Sequence, residues 1–174
     1  MLMLNVGCGP DYREGYVNID ACGIFRRDVA MTLPGDSLEG QFGKGSVDGI
    51  LFRDVMEHFF RWEGLAIIRD FFAVLRLGGE LDIVTPDLGR IVTDKGITLQ
   101  RKMELIHGYQ GQPMDVPSQP PELAKAWMEH PEWFTHKYTW TEGELRDVLA
   151  SEGFEVRKVE WLTYNEMEMK AVKD

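Results

Sequence analysis

Apolar residues fall in short blocks separated by glycine, proline and acidic residues, and the block period changes along the chain. Met1 to Val6 is an apolar run stopped by Gly7-Cys8-Gly9-Pro10, which reads as a strand entering a glycine loop. Tyr16-Val17-Asn18-Ile19-Asp20 alternates and is β-rich, so a second strand ends in Asp20, and a short strand follows near Asp28-Val29. Val47 to Phe52 is another strand. From Val55 to Leu77 the period becomes helical, with Phe60, Ile67, Phe71, Val74 and Leu75 at three- and four-residue spacing. Gly78-Gly79 stands where such a helix would stop, and Leu81 to Thr85 is the next strand, closed by Pro86.

Residues 89–107 read as helical. Residues 108–135 hold five prolines and two tryptophans with few regular signals, an irregular insertion of the kind that serves as lid or acceptor site. Thr141, with Glu144 three residues on, forms a capping box for a helix ending at Gly153. Phe154 to Leu162 and Glu166 to Val172 close the chain as strands.

Strands alternating with helices predict a Rossmann-like α/β three-layer sandwich, mostly parallel, with an antiparallel C-terminal strand. Residues 1–174 make one domain by length. Ligands of such sheets bind beyond the carboxyl ends of the strands. Gly7, Gly9, Asp20, Asp54, Pro86 and Asp87 all fall there.

Composition narrows the partners. Hydrophobic residues at 44% with 11% aromatic are those of a globular protein, and no apolar run approaches membrane-spanning length. No leader is recognised at the start, so a cytoplasmic location without membrane insertion is expected. A net charge of −10 disfavours nucleic acid, since phosphate backbones repel such a surface. Cys8 and Cys22 make no disulfide framework.

A glycine just after the first strand lets backbone approach a ligand where a Cβ would clash. An acid ending the second strand can accept both hydroxyls of a ribose. A dinucleotide fingerprint needs GxGxxG, and Tyr12 holds its third glycine position; Asp20 comes 13 residues after Gly7 rather than about 20. The ligand indicated is a nucleoside with a short, non-phosphate tail.

These segments together resemble the class I S-adenosylmethionine-dependent methyltransferases, above all short bacterial members linked to glycan and polysaccharide synthesis. The resemblance runs through LNVGCGP (4–10), VNID (17–20), DVAMTLP (28–34), SVDGILFRDVMEH (46–58), FFAVLRLGGELDIVTPD (71–87) and HKYTWTEGELRDVLASEGFEV (136–156). It implies S-adenosyl-L-methionine as cofactor and methyl transfer, at oxygen, to a small-molecule or sugar acceptor. By the same resemblance Gly7 and Gly9 face the methionine part through their backbones, with Asn5 and Cys8 also among the cofactor-binding residues, Asp20 holds the ribose, Asp28 the adenine amino group, and Leu33 packs on the adenine ring. Arg53 and Asp54 stand beside the sulfonium, where a carboxylate gives favourable charge pairing. Asp54 reads equally well as the N-cap of the following helix.

The sequence departs from the family in places. Asp11 replaces the usual third glycine, and the first helix must be very short. The cofactor pocket is then open on one side, to be covered by the 108–135 insertion or by a second subunit of a homodimer. Asp54-x-x-Glu57-His58 offers oxygen and nitrogen ligands, and small-RNA 2′-O-methyltransferases hold magnesium on a comparable group. Metal-free members share the Glu-His pair, and no basic surface accompanies it, so no metal is expected. Cys8 reads as a small packing residue. Trp127, Trp133, Phe134, Tyr138 and Trp140 form either an acceptor site or a satellite core. A hydroxyl acceptor needs a base; His58, His107 and His136 are candidates, His136 foremost. The contrasting readings are a non-catalytic S-adenosylmethionine-binding or regulatory protein of the same fold, a nicotinamide oxidoreductase, and an RNA methyltransferase.

Overall fold

The computed structural model describes residues 1–108 and 121–174. Seven strands form one sheet: β1 (Met3–Val6), β2 (Val17–Asp20), β3 (Val29–Ala30), β4 (Val47–Arg53), β5 (Leu75–Pro86), β6 (Phe154–Trp161) and β7 (Glu166–Lys173). Their order is β3-β2-β1-β4-β5-β7-β6; β7 runs antiparallel to both neighbours and the other pairings are parallel. Helices α1 (Leu38–Phe42), α2 (Arg61–Val74), α3 (Leu88–Thr93), α4 (Leu99–His107), α5 (Pro121–Glu129) and α6 (Glu142–Ser151) flank it. This is the three-layer Rossmann-like sandwich with an antiparallel C-terminal strand.

The central strands are buried, as parallel strands covered by helices must be. Leu4, Val6, Ile50, Phe52, Leu81 and Ile83 sit in one core with Ile67, Ile68, Phe71 and Val74 of α2 and with Trp140. Phe52 meets Phe71 edge to face at 4.9 Å between ring centres.

Four local readings are corrected. No helix forms between β1 and β2; residues 7–16 are turn and coil. The helix expected over 55–77 is a single 3-10 turn, Met56–His58, then α2 from Arg61, where the Glu63 carboxylate accepts from the Phe60 N–H at 2.8 Å. Helix α2 ends at Val74, before Gly78-Gly79, because Lys173 of β7 donates to the Phe72 and Leu75 carbonyls at 2.6 and 2.8 Å. That ammonium satisfies the helix end which a glycine cap would otherwise satisfy. The two glycines instead bend β5, whose register against β4 shifts between Val47 and Gly49. Residues 89–107 split into α3 and α4.

The insertion carries order of its own in α5 and a 3-10 turn at Pro131–Trp133. Its residues 109–120 lie outside the described part of the chain. Thr141 caps α6 by accepting from the Glu144 N–H at 3.2 Å, while the Glu144 carboxylate turns to Tyr138 and Arg61.

Replacing Lys173 by methionine strands the buried Leu75 carbonyl and the half-buried Phe72 carbonyl. Lys173→Met should lose about 1–3 kcal/mol in chemical denaturation. The exposed Lys95→Met should change stability by less than about 0.5 kcal/mol.

Candidate functional site

The carboxyl ends of β1, β2 and β4 open on a cavity of about 800 Å3. Gly7 (φ +69°) begins the loop after β1, and a Cβ there would meet Val55 Cγ2 at 2.5 Å. Gly7 and Cys8 both donate to the Ile19 carbonyl, at 2.8 and 3.0 Å, so the loop is tied to the end of β2. Gly9 (φ +47°) has no atom within 4 Å of where a Cβ would stand, so the space over it is open. Asp20 ends β2 with one carboxylate oxygen accepting from the Gly9 N–H and the other from the Cys22 N–H, each at 2.7 Å. The carboxylate is thereby aimed and retains lone pairs for a diol.

Of the residues singled out in the sequence, Asn5, Gly7, Cys8, Gly9, Asp20, Leu33, Arg53, Asp54 and His58 line this cavity. Asp28 and His136 do not. The Asp28 carboxylate accepts from the Asn18 backbone N–H and side-chain amide and from the Tyr12 hydroxyl. Those bonds hold its pKa below the usual carboxylate range, and its role is to fix β2. Reasoning from sequence missed Phe25 and Met31, which join Leu33 in an apolar lining. They lie in a weakly patterned stretch whose only signal was position after β2.

Asp54 follows β4 in a left-handed conformation (φ +54°), the one non-glycine residue so held among the described residues. It caps neither helical element; Val55 and Phe60 precede those. The N-cap reading is thus set aside. Asp54 stands at the cavity edge, where desolvation of its carboxylate and nearby Glu166 push its pKa up to about 6.

Behind it lies a buried polar group. Burial pushes the Glu57 carboxyl up to about 8, and Thr85 Oγ1 donates to it at 3.2 Å. His58 is pushed down to about 4 by burial and by His136, whose ring centre lies 5.0 Å away. Burial also lowers His136. Of the two rings only that of His58 reaches the cavity, so the preference for His136 as the group facing an acceptor is reversed. His107 ends α4 away from the lining.

Burial pushes the Cys8 thiol up to about 12, so it is a packing group rather than a nucleophile. The aromatic cluster divides between its two readings. Trp133 and Phe134 line the cavity, with Trp127 stacked on Phe134 at 5.4 Å. Trp140 is fully buried in the main core, and Tyr138 packs on it edge to face. Leu123 and Glu132 of the insertion also line the cavity.

No family model matches the chain, and no curated protein matches it. Solved structures do. An S-adenosylmethionine-dependent methyltransferase from Methanosarcina mazei is 20% identical, with 98% of this chain and 91% of that one aligned and a TM-score of 0.60. The 1,6-didemethyltoxoflavin-N1-methyltransferase of Burkholderia thailandensis, solved with its substrate and S-adenosylhomocysteine, is 13% identical over 99% of this chain and 70% of that one, TM-score 0.59. The magnesium protoporphyrin IX methyltransferase of Synechocystis, with bound S-adenosylhomocysteine, is 15% identical over 100% and 74%, TM-score 0.58. At these identities the likeness is one of fold.

The two loop glycines are not equivalent. Gly7→Ala combines a left-handed φ with a clash on Val55 and should lower stability by about 2–4 kcal/mol; Gly9→Ala carries only the backbone term, about 1–2 kcal/mol. Thermal unfolding of both variants checks the order.

Proposed function

We propose that this chain, which has the fold of the class I S-adenosylmethionine-dependent methyltransferases, binds S-adenosylmethionine in the cavity described above and transfers its methyl group to an oxygen of a small-molecule or sugar acceptor. The observation that carries the reading is the Asp20 carboxylate, aimed by the Gly9 and Cys22 N–H groups beside the open space over Gly9, at the strand ends where this fold places its ligands.

The lining fits the group from end to end. Gly7, Cys8 and Gly9 would face the amino-acid portion through their backbone, with Asn5 behind them. Asp20 would accept the ribose hydroxyls, and Phe25, Met31 and Leu33 offer an apolar slot for the base. Arg53 and Asp54 would flank the sulfonium, where an ionised Asp54 supplies the complementary charge. Bound there, the cofactor supplies a methyl group on a good leaving group.

The protein's remaining work is alignment, exclusion of water and removal of the acceptor's proton. Phe59, Trp133 and Phe134 offer apolar faces for an acceptor beyond Asp54. His58 is the imidazole on that wall; its lowered pKa keeps it neutral at pH 7, hence able to take a proton, with His136 behind it. The insertion residues Leu123 and Glu132 support a lid role for that segment.

Three measurements test the reading. S-adenosylmethionine at 100 times its dissociation constant should stabilise the protein by about 2.7 kcal/mol, and Asp20→Ala should abolish that shift. Absence of any shift in the unaltered protein would sink the proposal. Affinity should rise as pH increases through about 6, because Asp54 ionises there and only its anion pairs with the sulfonium; Asp54→Asn should flatten the dependence. His58→Ala and His136→Ala should keep cofactor binding and lose turnover, and full activity in either removes that residue from the mechanism.

A further inference from the structure

The geometry points to a divalent transition-metal site formed by Glu57, His58 and His136. Each offers one ligand atom, and the three atoms lie within 4.8 Å of one another. The sequence offered Asp54-x-x-Glu57-His58, with no metal expected; folding leaves Asp54 outside the cluster and brings a second imidazole to it from a distant part of the chain.

The orientation of the rings is that of ligands. His58 Nδ1 lies 3.4 Å from the Thr135 carbonyl and His136 Nδ1 lies 3.0 Å from the Leu105 carbonyl. A carbonyl can only accept, so the tautomer that makes these two bonds carries the proton on Nδ1 and leaves Nε2 as a lone pair. Thr85 Oγ1 donates to Glu57 Oε2 and orients the carboxyl. Two lone-pair nitrogens and a carboxyl oxygen gathered this closely make a donor set for a cation.

Backbone bonds fix the third ligand to the first two. Lys137 and Tyr138 both donate to the Glu57 carbonyl, at 2.8 and 3.3 Å, so the segment carrying His136 is pinned to the turn carrying Glu57 and His58. Asp54 and Glu166 add negative potential at Glu57, while Lys137 opposes it at His58. An ion bonded to all three at about 2.0–2.2 Å needs its ligands roughly 3–3.5 Å apart, a contraction within reach of side-chain torsions. Two imidazoles and one carboxylate suit zinc, manganese, iron or cobalt better than magnesium or calcium.

Three protein ligands leave a position for water or an acceptor oxygen. His58 forms the cavity wall, so the ion lies on the side assigned to the acceptor. With the ion bound, His58 Nε2 is a ligand in place of a base, and a hydroxyl bound to the ion loses its proton more readily than a free one. That last role rests on the proposed methyl transfer; the site itself does not.

Cobalt(II) titration of chelator-stripped full-length protein, followed by visible absorption, tests the site. One equivalent should bind with ligand-field bands that zinc displaces. Glu57→Gln and His136→Ala should each weaken binding by more than about tenfold. His130→Ala, altering a surface imidazole paired with Glu132, should leave it unchanged. Circular dichroism establishes that the variants fold; should His136→Ala fail, His136→Gln and Glu57→Gln carry the comparison. No stoichiometric binding, binding unaltered in both ligand variants, or a sulfur charge-transfer band placing the ion at Cys8 or Cys22 overturns the site. The S-adenosylhomocysteine thermal shift is read on the same samples. A shift without cobalt binding sinks the metal site alone, and cobalt binding without a shift sinks the cofactor reading alone.

Discussion

Two buried amides organise the ligand-facing loop. Asn5 on β1 and Asn18 on β2 are register partners and join through Asn5 Nδ2 to Asn18 Oδ1 at 3.0 Å. Asn5 also donates to the Asp11 carbonyl, while Asn18 accepts from the Arg13 N–H and donates to the Arg13 and Tyr16 carbonyls. A chain without a helix between these strands must satisfy its loop backbone some other way, and side-chain amides with both donors and acceptors can do so. The glycines at the rim and the carboxylate of Asp20 keep their places because this hub keeps the loop in place. Asn5 therefore touches the cavity mainly as a structural strut.

The same hub explains what the sequence disclosed and what it hid. Strand positions were legible because β1, β4 and β5 bury both faces and read as apolar runs. A very short first helix was expected because helices ordinarily join parallel strands; that Asn5 and Asn18 stand opposite each other emerges only from strand register. Likewise, nothing local to Val74 marks it as a helix end, since the cation that caps it arrives from Lys173. Gly78-Gly79 gave a true signal of unusual backbone, but the need was a bend in β5. Asp20 was readable because a strand end is a local feature. Asp28 was not, because its partners Tyr12 and Asn18 sit on other segments.

Electrostatics divides the cavity into two halves. On the Gly7–Asp20 side, the Asp20 carboxylate is met by the backbone N–H groups of Gly9 and Cys22. On the Glu57–His58 side, burial works against charge, so the acid is drawn toward its neutral form and both imidazoles are kept neutral. Asp54 stands at the boundary with an intermediate pKa. One side is thus polar and hydrogen-bonded and the other desolvated, and Trp133 and Phe134 of the insertion line the same cavity.

Strand β7 follows β6 in the chain, yet it sits between β5 and β6 and bonds to both. Until Glu166–Lys173 has left the ribosome, β5 presents an unpaired edge and β6 has no partner. A chain that has emerged past β5 but not yet as far as β7 thus carries a sticky border. The strand that seals this border also brings Lys173 to α2 and Glu168 to Arg53. Closure of the sheet and anchoring of Arg53 at the cavity therefore belong to one step.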